Sequence, residues 1–159
     1  MLNNALKDRA ASSVLCWLAT VDEHGQPNVS PKEIWAVWDD QHVVIGHIAS
    51  PTSVRNIAQR AKVCVSFVDV FVQKGFKVQG EARLVPKGHA EYSTWAAPLL
   101  PMAGERFTLH AVVVVRATAV EPIVAPSYRL YPQETTETTQ VAAAMKTYGV
   151  MRSGTTGST

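Results

Sequence analysis

The chain has 159 residues and a mass of 17.3 kDa, the length of one domain, and surface scaling lets roughly 69% of the extended chain's area be buried on folding. Hydrophobic residues at 47%, charged residues at 18% and a mean hydropathy of +0.01 exclude a disordered chain. The net charge of +2 comes from interspersed signs, and no apolar run reaches the length of a membrane span, so neither a nucleic acid nor a membrane is expected as a partner.

Only Cys16 and Cys64 are present, each among apolar neighbours, which reads as two small buried hydrophobes rather than a disulfide. A cytoplasmic address follows by default, since the first residues do not read as a secretory leader. A single domain is expected over residues 1–150, followed by a flexible tail over 151–159.

Residues 2–11 place Leu2, Ala5, Leu6, Arg9 and Ala10 at helical spacing, an amphipathic entry helix that packs on something larger. VLCWLATV at 14–21 is apolar and β-prone. DEHGQP then supplies Gly25 and Pro27 for a turn into a second strand over 28–38. A turn at 38–41 leads to a third strand over 42–48, giving an antiparallel meander, because a parallel crossover needs a dozen or more residues.

At Ser50-Pro51 the pattern changes to a helix start, with Val54, Ile57, Ala58 and Ala61 as its apolar stripe. Strands four and five are expected over 62–70 and 74–85, with Gly75 and Gly80 at bends or bulges. Residues 89–99 read as helix and PLLPMAGE as a loop. A sixth strand runs over 107–120 and ends before Pro122. Residues 133–148 form a last helix with an acidic start and a glycine stop at Gly149. Six antiparallel strands with short helices between them favour a small barrel, since closure removes exposed edges; an open sandwich is the alternative.

The chemistry concentrates at SPTSVRNI, where Ser50, Thr52 and Ser53 put three hydroxyls in the first turn of a helix. Free amides and the positive dipole end there suit a phosphate, and Arg55 one turn on adds charge. The plainer reading is that Ser50 only caps the helix. Upstream, Pro31 interrupts a strand that should carry none if central. Ser30 and Lys32 share one face of that strand, with Pro31 and Glu33 on the other. If the first face overlooks Ser50, hydroxyl, ammonium and helix amides converge on one anion. The five histidines and two cysteines show no metal-ligand spacing. The absence of G-x-S-x-G, P-loop and G-x-G-x-x-G motifs argues against hydrolase, triphosphatase and Rossmann readings.

The succession LATVDEHGQPNVSPKEI, WDDQHVVIGHIASPTSVRNIAQRAKVCVSFVD and QKGFKVQGEARLV resembles the flavin-binding split-barrel proteins related to pyridoxamine 5′-phosphate oxidase, over roughly residues 13–86. The resemblance implies a mainly β fold, a six-stranded antiparallel split barrel of Greek-key type with short flanking helices. It also implies a homodimer with FMN where the subunits meet. The strand from Ser30 through Pro31 and Lys32 to Glu33 would lie along the flavin ring, and the helix start at Ser50, Thr52 and Ser53 would hold the phosphate. His47 and Ile48 would flank the ribityl chain, and Lys74 with Gly75 would approach the cofactor from the partner.

This chain departs from many such relatives in having Thr52 and Ser53 where they carry basic residues, and Ser30 where they carry arginine. YRLYPQETTETTQ also replaces the basic, tryptophan-containing segment that binds the vitamin in the authentic oxidase, so that substrate is not assigned. The function expected is that of an FMN-dependent oxidoreductase of unknown substrate. The alternative is a non-catalytic carrier of FMN or another flat cofactor, such as haem or a deazaflavin.

Overall fold

A computed structural model describes residues 1–151; the tail expected from 151 onward lies outside them except for Met151. It contains seven strands, β1 (Cys16–Val21), β2 (Pro27–Lys32), β3 (Trp35–Val37), β4 (His42–His47), β5 (Lys62–Asp69), β6 (Lys74–Pro86) and β7 (Ala111–Val124). The helices are α1 (Asn4–Ala11), α2 (Pro51–Gln59), α3 (Tyr92–Ala96), α4 (Leu100–Ala103), α5 (Ser127–Leu130) and α6 (Glu137–Tyr148). All strand pairs are antiparallel, in the order β2-β1-β5-β6-β7-β4-β3.

The expected count of six strands is corrected to seven, and the extra strand has a simple origin. The single strand expected over 28–38 is broken at Glu33-Ile34, so β2 pairs with β1 while β3 pairs with β4. The two ends of the strand order are therefore consecutive in the chain. The sheet curls until its first and last members are the two halves of one strand, a half-barrel arrangement of the split-barrel class. Gly46 N donates to Ile34 O at 2.8 Å across the break.

The interior is filled by alternate residues, as the two-residue strand period dictates. Leu18, Val65, Phe67, Val78, Ile45 and Val115 are fully buried there. Asn3 caps α1 by accepting from Leu6 N at 3.0 Å, and the fully buried Leu2 and Leu6 seal this interior. The run of valines in β7 is buried on both faces, because Val113 and Val115 point inward while Val112 and Val114 lie under α3 and α4 with Leu99 and Ala103. A continuous apolar run is what such a doubly covered strand requires.

Other boundaries move for local reasons. The segment expected as the PLLPMAGE loop contains α4, and the helix expected over 89–99 is reduced to α3. β7 starts later than expected and runs through Pro122, because β4 stops pairing at Arg116 and beyond it the outer edge of β7 needs no donor. The last helix starts at Glu137 behind a Thr136–Thr139 capping box and ends at Gly149 with φ 66°. The register shift expected at Gly80 is present between Gln79 and Gly80. Gly75 is needed for close strand approach, since a Cβ there would lie 1.9 Å from Phe67 O.

Arg9 bonds both Asp69 (3.3 Å) and Glu137 (3.5 Å), tying α1, β5 and α6 together. Among the described residues no helix is long and apolar enough to cross a membrane.

Candidate functional site

The buried face of α2 is not the apolar stripe expected from its sequence. Ser53, Asn56 and Ile57 are buried, whereas Ala58 and Ala61 are exposed. The polar pair packs on β1 and β2. Asn56 Nδ2 donates to Thr20 Oγ1 at 3.0 Å, and Asn28 Nδ2 donates to the same oxygen at 3.2 Å. Ser53 Oγ and Ser30 Oγ are hydrogen-bonded at 3.0 Å. Asn28, Ser30 and Lys32 thus present one strand face to the first turns of α2, as the two-residue period requires.

At the end of that face Lys32 reaches Ser50. The Lys32 ammonium donates to Ser50 Oγ, and the Ser50 side chain makes no cap bond to its own helix. Capping therefore does not account for this serine. Lys32 is 7% exposed, and among the described residues no carboxylate forms an ion pair with it. Burial holds its ammonium below the ordinary lysine range, partly offset by the thiol of Cys16. A buried cation without a counter-charge is costly, and the α2 N-terminus beside it adds positive potential. The corner is electropositive and suits an anion.

The corner opens into a cleft of about 270 Å³ lined by Pro31, Lys32, Glu33, Ile34, Ile48 and Ser50, together with Gly46, Ala49 and Phe107. His47 sits beside it, its ring 6.1 Å from that of His110. Burial, then the charges of His110 and Lys32, lower the pKa of His47 below the ordinary histidine value. Gly46 is confined by Leu109 and Ile34, which a Cβ would meet at 2.7 and 3.2 Å.

Of the residues singled out in the sequence, Pro31, Lys32, Glu33, Ile48 and Ser50 line this cleft, His47 adjoins it, and Ser30 and Ser53 form a bonded pair on the same strand and helix faces. Thr52 faces a second cleft on the other flank of α2, also about 270 Å³, with Arg55, Asn28 and Asn56. Lys74 and Gly75 are not brought to either cleft. Lys74 lies at the start of β6, its Nζ 3.0 Å from Glu137 and 4.3 Å from the centre of the Tyr128 ring.

Sequence reasoning missed Ile34, Gly46 and Phe107 as cleft residues and Thr20, Asn28 and Asn56 as the polar bed of α2. An asparagine on the Val54/Ile57 side of an amphipathic helix was the one available signal. Asn56 Oδ1 is buried without a hydrogen-bond partner among the described residues, so the polar bed still has an open acceptor.

Residues 2–123 match the family profile described as pyridoxamine 5′-phosphate oxidase. Among solved structures, HupZ of Group A Streptococcus is 26% identical, with 79% of this chain and 96% of that one covered at a TM-score of 0.68. An F420 reductase is 25% identical, covering 74% and 94% at a TM-score of 0.54. An FMN-binding protein of Syntrophomonas wolfei subsp. wolfei shares the fold at 15% identity, covering 76% and 88% at a TM-score of 0.62. No curated protein matches the chain.

Proposed function

The chain belongs to the pyridoxamine 5′-phosphate oxidase family, and from that premise we propose that it binds FMN in the cleft between β2 and the start of α2 and serves as a flavin-dependent oxidoreductase. The observation that carries this reading is Lys32, a buried cation with no carboxylate partner among the described residues, hydrogen-bonded to Ser50 at a helix N-terminus and lining a cleft. These groups fit an anionic tail. The Lys32 ammonium and the Ser50 hydroxyl would bind it, and the first-turn backbone amides of α2, those of Thr52 and Ser53, would add donors.

When bound, a flavin supplies the two-electron redox chemistry itself, and the protein's share is binding, orientation and electrostatics. Pro31, Lys32, Glu33 and Ile34 form one wall that would orient a flat ring, with Phe107 and Ile48 excluding water. His47 stays neutral at the cleft edge, where it offers a hydrogen bond without adding charge. Lys32 would favour negative charge on a group beside it.

A cleft of about 270 Å³ is below the roughly 300–1,000 Å³ of pockets that enclose a ligand, which supports completion of the site by a second copy. Val14, Leu15, Trp17 and Val29 are exposed along β1, its approach and β2, an apolar surface of the kind that subunit contacts cover. In such a homodimer Lys74 and Gly75 of one copy would approach the cleft of the other.

A deazaflavin is the second reading, favoured by the 25% identity to an F420 reductase, and the same anion corner would serve its phosphate-bearing tail. Titration of the purified protein with FMN and with a deazaflavin, followed by reduced nicotinamide, tests both readings. Saturable flavin binding with bleaching supports the oxidoreductase, and binding without bleaching by any donor supports a carrier. Failure to bind either cofactor at micromolar concentration refutes the proposal. Sedimentation that finds only a 17.3 kDa species refutes the two-copy site.

A further inference from the structure

An uncompensated buried lysine has two ways to relieve its charge. It can recruit an anion, or it can lose its proton and become a neutral amine, which is the nucleophilic form of the side chain. In this chain both possibilities meet in one place. Lys32 and Ser50 both line the cleft, the Ser50 hydroxyl is the one hydrogen-bond partner of Lys32 Nζ among the described residues, and the donors that suit an anion belong to the same corner.

The other lysines differ. Lys7 is paired with Asp40 at 2.6 Å, Lys74 with Glu137 at 3.0 Å and Lys77 with Glu121 at 3.0 Å, while Lys62, Lys87 and Lys146 are exposed.

We propose that Lys32 is a reactive amine that condenses with small phosphorylated aldehydes, the carbonyl carbon entering the cleft between Ile34 and Phe107 and the phosphate taking the donors of Ser50 and the first turn of α2. The neutral nitrogen adds to the carbonyl carbon to form a C–N bond. The carbinolamine then loses the former aldehyde oxygen as water, with the two hydrogens of the amine, leaving a C=N bond. No electrons change hands and no co-reactant is required.

The depressed lysine pKa, caused by burial, supplies more free amine at neutral pH than a solvated lysine has. Ser50 Oγ accepts from the Lys32 nitrogen, which leaves its single hydroxyl hydrogen for the phosphate. The aldehyde would use the same cleft and anion donors as the flavin, so the two ligands compete for this corner, while the amine chemistry itself needs only the chain.

The test treats the full-length protein at neutral pH with limiting glyceraldehyde 3-phosphate, traps the imine with cyanoborohydride and resolves the adducts by peptide mass spectrometry. The result expected is that Lys32 carries the main adduct, at least tenfold above exposed Lys62 and Lys87. Glyceraldehyde without the phosphate should lower Lys32 labelling at least tenfold while leaving the exposed lysines unchanged. Labelling spread over Lys62 and Lys87 without preference for Lys32, or equal labelling of Lys32 by the two aldehydes, would overturn the proposal. Because the decisive comparison uses the unmodified chain, it does not depend on a variant folding. A Ser50→Ala chain, checked by its melting curve, should retain the exposed-lysine adducts and lose the phosphate preference at Lys32. FMN titrated in parallel distinguishes this outcome from failure of the flavin reading, since cofactor binding and amine labelling are read separately.

Discussion

Replacing Lys32 by methionine keeps most of the side chain's length and removes its charge. No carboxylate among the described residues loses a partner, so the usual penalty for breaking a buried ion pair does not arise. The Ser50 hydroxyl can turn toward its own helix and cap it. The free protein is therefore expected to lose no stability, and to gain between about 0 and 2 kcal/mol at pH 7 from relief of an uncompensated buried charge.

Binding should move the other way. A charge-assisted hydrogen bond to an anion contributes about 1.5–3 kcal/mol, so Lys32→Met should weaken FMN binding roughly 10- to 150-fold. The pH dependence adds a signature. Burial lowers the folded-state pKa of Lys32 from the ordinary 10.5, so between the lowered value and 10.5 the unfolded chain holds a proton that the native one does not. Stability from this residue must rise with pH across that window, by at most about 1.4 kcal/mol per pH unit, and the methionine variant should lack that rise. Urea unfolding over a pH series and a flavin-fluorescence titration measure both quantities. A variant destabilised by more than about 1 kcal/mol, with unchanged FMN affinity, would refute the reasoning about this corner.

The remaining expectations concern other parts of the molecule. Gly75→Ala would place a methyl group 1.9 Å from Phe67 O, and Gly80→Ala one at 2.5 Å from Arg116 O; both contacts are with backbone, and each should cost about 2–4 kcal/mol in urea unfolding. His47, lowered from 6.5, should titrate below free histidine by NMR. Because the unfolded chain takes up that proton first as pH falls, His47→Gln should remove a stability loss that sets in below about pH 7. Burial raises both thiols, with Cys16 the more deeply buried. Iodoacetamide at about pH 8 should leave Cys16 unmodified in the native protein and alkylate it fully only in denaturant, as read by intact mass.

Much of the fold was legible because local pattern and tertiary role agree. KVCVSFVD alternates as β5 does, with Val63, Val65 and Phe67 buried and their neighbours less so. The shared face of Ser30 and Lys32 follows from the strand period alone, and the helix at Pro51 from Ser50-Pro51. The break at Glu33-Ile34 was not legible, since KEIWAV is β-prone throughout and only curling of the sheet forces the strand to change partners there. Pro122 misled for a related reason: proline's missing donor ends a central strand but not one whose outer edge is free. Phe107 reaches the cleft through long-range packing of the segment before β7 against the cluster that includes Ile34 and Val44, an arrangement that no local pattern encodes. The polar face of α2 was hidden because Asn56 and Ser53 satisfy each other's surroundings through Thr20, Asn28 and Ser30 on two other elements.

The seam formed by β2 and β3 has a bearing on how the molecule opens. An ordinary sheet frays from either outer member independently, but here both outer members hang on the same peptide link. Peeling β3 from β4 pulls on the segment that carries Lys32, and releasing β2 from β1 loosens the hold on Ile34. Amide protons of the two strands should therefore exchange with solvent at matched rates through one shared opening event, and a ligand clamping the cleft should slow both together.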